Sequence, residues 1–185
     1  MQAAITATSF AILENFGQLL SYPGEDYLHQ IAECQNAAAG IDDDAARCLS
    51  YFHDAVRGLT VEGAQELYVQ TFDLNPVCAL EVGWQLYGDN YDRGNFLVKM
   101  RQELERHNVP ETRELPDHLS NVLPLLAHMD PGEAVQFASA SVLPALKKML
   151  AAFEGKQSPY EKVVRALSRV LKSPLSSSTA EANHV

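Results

Sequence analysis

Hydrophobic residues recur every three or four positions along almost the whole chain. The first stripe ends at Tyr22-Pro23-Gly24 and consists of Ile12, Leu13, Phe16, Leu19 and Leu20. This spacing predicts an amphipathic helix with one buried face. No stretch rich in Val, Ile and Thr alternates apolar and polar residues at every second position, so no strand is predicted.

Capping residues, prolines and glycines divide the helical pattern into separate helices. The predicted starts are Asp42-Asp43-Asp44, Thr60, Asp92, Asp130-Pro131 and Ser158-Pro159. The segment His107–Pro116 holds two prolines and is predicted to be a loop, after which Pro116 or Asp117 begins another helix. The sequence therefore predicts an all-α, single-domain bundle of about seven to nine helices over residues 1–172, followed by a disordered, Ser-rich tail over 173–185.

The net charge of the protein narrows the classes of partner that it can bind. The 185 residues carry 24 acids and 14 bases, a formal net charge of -10, and 46% of them are hydrophobic. A protein this negative is repelled by phosphate backbones and by anionic lipid, so nucleic acid and a membrane surface are poor candidates and a cationic peptide is a better one.

Cysteine usage and the hydropathy of the chain suggest where it acts. The three cysteines are widely spaced and form no Cys-x-x-Cys pair, which is typical of a reducing compartment. The N-terminus lacks the pattern of a secretory signal, and no apolar run reaches the ~18 residues that a membrane span needs. We expect a cytoplasmic protein without stable membrane insertion.

The motifs of common catalytic and metal sites are missing from the sequence. There is no His-x-x-x-His, no Glu-x-x-His, no zinc-type Cys/His cluster, no glycine-rich phosphate loop and no Gly-x-Ser-x-Gly turn. We therefore expect no metal, no cofactor and no enzymatic activity.

Asp117-His118 is the first candidate functional feature, and it has two interpretations. Adjacent residues of a helix point about 100° apart and make a poor catalytic pair. Helix rules favour Asp117 as an N-terminal cap with His118 half-exposed. The alternative is a functional rim, because the pair follows a long loop.

The second feature is an acidic stretch between Gly58 and Asp92, where six acids occur without any Lys, Arg or His and aromatic residues lie among them. One interpretation is an ordinary solvated face over an aromatic core. The other is a groove with apolar walls and an acidic rim, suited to an apolar, arginine-bearing peptide. The residues alone favour neither.

Three segments in fixed order carry a family resemblance: Glu66–Asp73, Gly88–Gly94 and Arg113–Leu119. Their sequences, ELYVQTFD, GDNYDRG and RELPDHL, closely resemble those of the NarJ-like nitrate reductase assembly chaperones, a branch of the TorD/DmsD superfamily. Weaker matches lie at Leu19–Pro23 and Ser158–Tyr160, and the resemblance extends from about Phe10 to Leu171.

The resemblance implies an all-helical cytoplasmic chaperone for a molybdenum oxidoreductase. Such chaperones bind the N-terminal segment of the apo catalytic subunit, a twin-arginine signal or a vestige of one, and hold the subunit for cofactor insertion before export or membrane docking. The short C-terminal tail and the segment Asn75–Cys78 depart from the nitrate reductase branch, so the client is nitrate reductase or a related oxidoreductase. The alternatives are a nucleotide-binding or hydrolysing switch and a structural subunit of the same complex.

The resemblance also implies a site, because Pro-Asp-His lines the peptide pocket in the superfamily. Combined with the acidic stretch, it predicts these peptide-binding residues: Tyr68, Phe72, Asp73, Pro76, Leu80, Tyr87, Asp92, Arg93, Glu114, Pro116, Asp117 and His118.

Overall fold

The computed structural model describes the backbone of residues 12–181 and the side chains up to Ser173. The described residues confirm the all-α fold. The α-helices are α1 (12–19), α2 (Tyr27–Ala39), α3 (Asp43–Val56), α4 (Val61–Tyr68), α5 (Val82–Tyr87), α6 (Tyr91–Arg106), α7 (Leu119–His128), α8 (Pro131–Phe137), α9 (Leu143–Ala152) and α10 (Tyr160–Glu181).

Two stretches of π-helix were not predicted from the sequence. Val69–Asp73 continues α4, and Ala138–Val142 joins α8 to α9. A short 3₁₀ turn, Pro76–Cys78, follows the first of them. π-Helical turns are often found at functional sites.

An aromatic cluster lies at the centre of the core, where α10 packs on α3 and α3 packs on α2. The hydroxyls of Tyr27 and Tyr160 are 2.6 Å apart and hydrogen-bonded. The Tyr160 ring lies 4.9 Å from that of Phe52 and 4.7 Å from that of Phe72. Each such ring pair contributes about 0.5–1.5 kcal/mol beyond its buried area. The cluster fixes the π-helical end of α4 against the start of α10.

Two predicted helix starts, at Asp42 and at Thr60, are confirmed, and both carry a side-chain cap. The Asp42 side chain accepts a hydrogen bond from the Ala45 amide (2.8 Å), and Thr60 accepts one from the Gly63 amide (3.2 Å). Both bonds satisfy amides that have no partner within the helix.

Other caps differ from the prediction. Asp92 does not cap α6, because Asn90 accepts the bond from the Asp92 amide. The side chain of Asp130 makes no capping bond to α8. The hydroxyl of Ser158 pairs with that of Thr71 at 3.2 Å, which joins the start of α10 to the first π-helix.

The predicted boundary at residue 172 does not coincide with the end of a helix, since α10 continues through Glu181. Residues 1–11 of the predicted domain and 182–185 of the predicted tail lie outside the described residues. The division into a domain and a disordered tail stays a prediction. Within residues 12–181, no helix is both long enough and apolar enough to cross a bilayer.

Candidate functional site

A cavity of about 220 Å³ opens where the first π-helix, the 3₁₀ turn, α5, α6 and the loop before α7 meet. We call it the acidic pocket. Its lining residues are Phe72, Asp73, Pro76, Ala79, Leu80, Glu81, Trp84, Arg93, Glu114 and His118.

Seven of the residues predicted to bind a peptide lie together in this pocket: Phe72, Asp73, Pro76, Leu80, Arg93, Glu114 and His118. Five others do not line it. Tyr68 is buried behind Phe72, with 5.1 Å between their ring centroids. Tyr87 faces a neighbouring cavity beside Phe96, Asp92 is exposed on the first turn of α6, and Pro116 and Asp117 are buried beneath the loop. The role of all twelve in peptide binding stays a prediction.

A short antiparallel bridge positions the segment around His118. The amide of Val82 donates to the carbonyl oxygen of Asp117 (2.8 Å), and the amide of Leu119 donates to that of Leu80 (3.0 Å). These two bonds hold the start of α7 against the start of α5. No sequence pattern indicates this contact, because 35 or more residues separate its two sides.

The Asp117 side chain accepts a hydrogen bond from the N-terminus of α5 and not from that of α7, the helix that follows it. Its side chain is fully buried, and Oδ2 accepts a hydrogen bond from the amide of Gly83 at 3.0 Å. Arg93 Nε lies 3.7 Å from the same oxygen. Burial raises the pKa of Asp117, whereas the Arg93 charge and the amide hydrogen bonds oppose that rise. The interpretation of Asp117 as the cap of the following helix is wrong.

His118 is the residue that caps α7. Its Nδ1 accepts a hydrogen bond from the Ser120 amide at 3.1 Å and lies 2.7 Å from Ser120 Oγ. The residue is 5% exposed, so the expected half-exposed histidine is also wrong. Burial lowers the pKa of His118 to about 4, which leaves the imidazole neutral at pH 7. Because Nδ1 accepts from the amide, we assign the proton to Nε2.

Gly83 permits the close approach of α5 to Asp117 and was not identified from the sequence. A Cβ at this position would lie 2.7 Å from Asp117 Oδ2 and 2.8 Å from Cδ1 of Phe96. Any side chain there would separate the helix amide from the carboxylate.

Asn121 holds the loop that supplies Glu114 to the pocket. Its Oδ1 accepts from the Thr112 amide (2.9 Å), and its Nδ2 donates to the carbonyl oxygens of Leu115 (2.9 Å) and Glu114 (3.4 Å). Asn121 was not identified from the sequence. Its signal is an amide side chain inside the apolar run Leu119–Leu126, where it is fully buried.

Side chains of α5 hold the 3₁₀ turn in place at the pocket's edge. Trp84 Nε1 donates to the carbonyl oxygen of Pro76 (2.8 Å), and Gln85 Nε2 donates to that of Ala79 (2.9 Å). The Arg93 guanidinium lies 5.2 Å from the centroid of the Trp84 ring, within range of a cation–π contact. Arg93 is thus held between an aromatic face and the buried carboxylate of Asp117.

Negative charge predominates in the pocket. Three carboxylates, those of Asp73, Glu81 and Glu114, face a single arginine, Arg93, and a neutral histidine. Burial raises the pKa of Asp73 and that of Glu81, where the Asp117 charge adds to the effect. Carboxylates that are costly to keep charged gain from a cationic partner.

Exposed apolar side chains lie next to the pocket in the chain. Leu74 is 73% exposed, Val77 55% and Leu115 45%, and each neighbours a lining residue. A negative cavity with an apolar border suits a basic side chain within an apolar segment. In the described part of the chain, no three His, Cys, Asp or Glu side chains are arranged to hold a metal ion.

The chain is similar to named assembly chaperones. No family model matches it. It is 27% identical over 147 residues to the nitrate reductase molybdenum cofactor assembly chaperone NarJ of Escherichia coli K12, which covers 77% of this chain and 62% of that protein. It is 25% identical over 156 residues to the probable chaperone NarJ of Bacillus subtilis, with 83% and 84% of the two chains covered. The chain therefore spans less than two thirds of the length of the Escherichia coli relative.

A solved structure has a similar fold. A putative redox enzyme maturation protein from Archaeoglobus fulgidus superposes with a TM-score of 0.60 at 22% identity and covers 86% of this chain and 91% of its own. Together with the similarity to the probable chaperone NarW of Escherichia coli K12, 26% identical over 90% of this chain, the similarity to the two NarJ proteins confirms the resemblance that the sequence segments indicated: the chain is similar to the NarJ-like nitrate reductase molybdenum cofactor assembly chaperones.

Proposed function

We propose that the protein is a non-catalytic, cytoplasmic assembly chaperone for a molybdenum oxidoreductase, either nitrate reductase or a related enzyme. It binds the N-terminal segment of the apo catalytic subunit, a twin-arginine signal or a vestige of one. It holds the subunit for molybdenum cofactor insertion before export or membrane docking. The observation that carries this proposal is the acidic pocket, in which Asp73, Glu81 and Glu114 surround a cavity with an apolar border.

The pocket has the charge needed to capture a basic side chain. A guanidinium that reaches the carboxylates forms charge-assisted hydrogen bonds, each worth about 1.5–3 kcal/mol when well made. Apolar residues on either side of the arginine pack on Leu74, Val77 and Leu115, which are exposed in the free protein. The net negative charge of the protein speeds the encounter.

Asp117 acts in this scheme as a positioning residue. Its carboxylate has no exposed surface and contacts Gly83 and Arg93. It therefore fixes the orientation of α5 and of the Arg93 guanidinium, while the peptide contacts Asp73, Glu81 and Glu114.

The test uses Trp84, which is the single tryptophan of the chain and lines the pocket. A peptide with the N-terminal 30 residues of the candidate catalytic subunit is titrated into the protein while tryptophan emission is recorded. We expect a saturable change at micromolar peptide, and none with a peptide whose arginines are replaced by alanine. Glu114→Gln should weaken binding about tenfold, which corresponds to the loss of one charge-assisted hydrogen bond.

Glu105→Gln is the matched control, because it removes the same charge from an exposed position of α6 outside the pocket. Equal weakening by both variants would mean that only net charge matters and would contradict a specific pocket. Absence of saturation with the peptide would overturn the proposal.

A nucleotide switch is disfavoured at this site, because three carboxylates repel a triphosphate. Incubation with GTP should release no phosphate above background. A structural subunit would persist in the purified mature enzyme, whereas a chaperone should be found only with the apo subunit.

A further inference from the structure

Positive charge is concentrated in the last part of the chain. From residue 143 onward there are seven bases and three acids, whereas residues 1–142 hold seven bases and 21 acids. The protein thus has a basic region in spite of its net charge of -10.

This region contains a large groove between α9 and α10, with a cavity of about 840 Å³. We call it the basic groove. Its lining residues are Ser139, Leu143, Pro144, Lys147, Leu150, Ala151, Phe153, Glu154, Gly155, Lys156, Glu161, Arg165, Ser168 and Lys172. No residue lines both this groove and the acidic pocket.

The groove follows one face of α10. Its lining residues on this helix, Glu161 to Lys172, recur at intervals of four, three and four, which places them on one side of the helix. At 1.5 Å per residue this face is about 16 Å long. That length accommodates about three turns of a bound helix.

Four cations and two acids line the groove. Glu161 is paired with Arg165 at 2.5 Å and with the neighbouring Lys162 at 3.1 Å, so its charge is already compensated. Lys147 and Lys172 form no ion pair with any of the described residues.

Apolar side chains accompany the cations. Leu143 and Leu150 are half-buried on α9 and line the groove. A phosphate ligand would leave these apolar surfaces exposed, whereas an amphipathic polypeptide would bury them.

We propose that the basic groove binds an acidic, amphipathic segment of a partner protein. Carboxylates of the segment meet Lys147, Lys156 and Lys172, while its apolar side chains cover Leu143 and Leu150. This site is separate from the acidic pocket and has the opposite charge preference. The protein then holds a basic segment and an acidic segment at the same time.

The test measures the anisotropy of a fluorescein-labelled, 16-residue helical peptide with five Glu on one face and five Leu on the other. We expect saturable binding that weakens at least tenfold in the double variant Lys147→Glu/Lys172→Glu. The matched control, Arg57→Glu/Lys99→Glu, changes net charge equally at positions outside the groove and should weaken binding less than threefold. The peptide with Lys in place of Glu should not bind at the groove.

Three results would overturn the proposal: no saturable binding, equal weakening by the control variant, or displacement of the peptide by stoichiometric inorganic triphosphate, which would indicate a phosphate site. A dimer of the free protein in sedimentation that the double variant abolishes would assign the groove to a second copy instead. The basic N-terminal peptide still reports on Trp84 in the double variant, so failure here is distinguishable from failure of the acidic pocket.

Discussion

Asp117 and His118 are adjacent in the chain but stabilise different helices. The Asp117 carboxylate accepts from the second residue of α5, whereas the His118 ring accepts from the second residue of α7. Each compensates partial positive charge at a helix start. Asp117 and His118 therefore connect α5 to α7, and they also belong to the pocket region.

Removal of the Asp117 carboxylate should be costly to stability. Asp117→Ala leaves the buried Gly83 amide without a partner and Arg93 without its nearest carboxylate, so we expect a loss of about 2–3 kcal/mol in the free energy of unfolding. Urea unfolding followed by circular dichroism measures it. Asp117→Asn keeps an acceptor oxygen and should lose less; an equal loss in both variants would show that the charge, and not the hydrogen bond, stabilises α5.

His118 should make the protein less stable in mild acid. Its pKa is about 4 in the folded protein against an ordinary value of 6.5, so between these values the unfolded chain binds more protons. The contribution of His118 to the free energy of unfolding is therefore fully present above about pH 6.5. It is lost as the pH decreases towards 4, by up to about 3 kcal/mol in total.

The matched variant is His118→Asn, which can still cap α7 but does not titrate. The difference in unfolding free energy between wild type and this variant, measured from pH 7 to pH 4.5, isolates the histidine from the carboxyl groups. Asp117 contributes in the opposite direction, because a raised pKa favours the folded state as the pH falls. A pH-independent difference would contradict the prediction.

Helix α5 is too short to be stable alone. It has six residues, and its own N-cap, Glu81, makes no side-chain capping bond. Asp117 binds its first turn, and Lys148 Nζ donates to the carbonyl oxygen of Gln85 (2.6 Å) near its end. Contacts from distant parts of the chain therefore maintain the helix that carries Trp84.

Two glycine substitutions should have opposite effects. Gly83→Ala places a Cβ against Asp117 and Phe96, so we expect destabilisation of about 1–3 kcal/mol from overpacking. Gly94→Ala in α6 meets nothing within 4 Å and should stabilise by up to about 1 kcal/mol through helix propensity. Thermal unfolding of the two variants compares them directly, and a gain in stability from Gly83→Ala would refute the close contact.

Asn121 should control the order of the loop before α7. Asn121→Ala removes three hydrogen bonds to residues 112–115, so we expect faster amide exchange of Thr112 and weaker binding of the N-terminal peptide. Hydrogen–deuterium exchange resolves the first effect and Trp84 emission the second. Asn95→Ala, at an exposed position of α6, is the control and should change neither.

Local rules explain what the sequence could predict. Asp42 and Thr60 directly precede the helices that they cap, and their amide partners lie three residues on, so local spacing identifies both helix starts. The same rules failed for Asp117, because its partner amide lies 34 residues earlier in the chain. The family resemblance and the acidic stretch together identified seven residues of the pocket, but the roles of Gly83 and Asn121 depend on contacts that no local pattern encodes.

Over the whole molecule, the charges are separated into an acidic majority and a basic C-terminal region. Binding of a basic peptide at the acidic pocket should weaken as salt screens this field, roughly threefold or more between 50 and 300 mM NaCl. Titrations monitored by Trp84 emission at several salt concentrations check this. An affinity that does not vary with salt would mean that apolar contacts dominate.

The π-helix Val69–Asp73 makes the pocket sensitive to the length of the chain as well as to its residues. A π turn contains about one residue more than the α turn that it replaces. We expect deletion of Gln70 alone to replace the π turn by a regular helical turn and to change the positions of Phe72 and Asp73 relative to Glu81 and Glu114. A one-codon deletion could thus abolish the site while every pocket residue is retained.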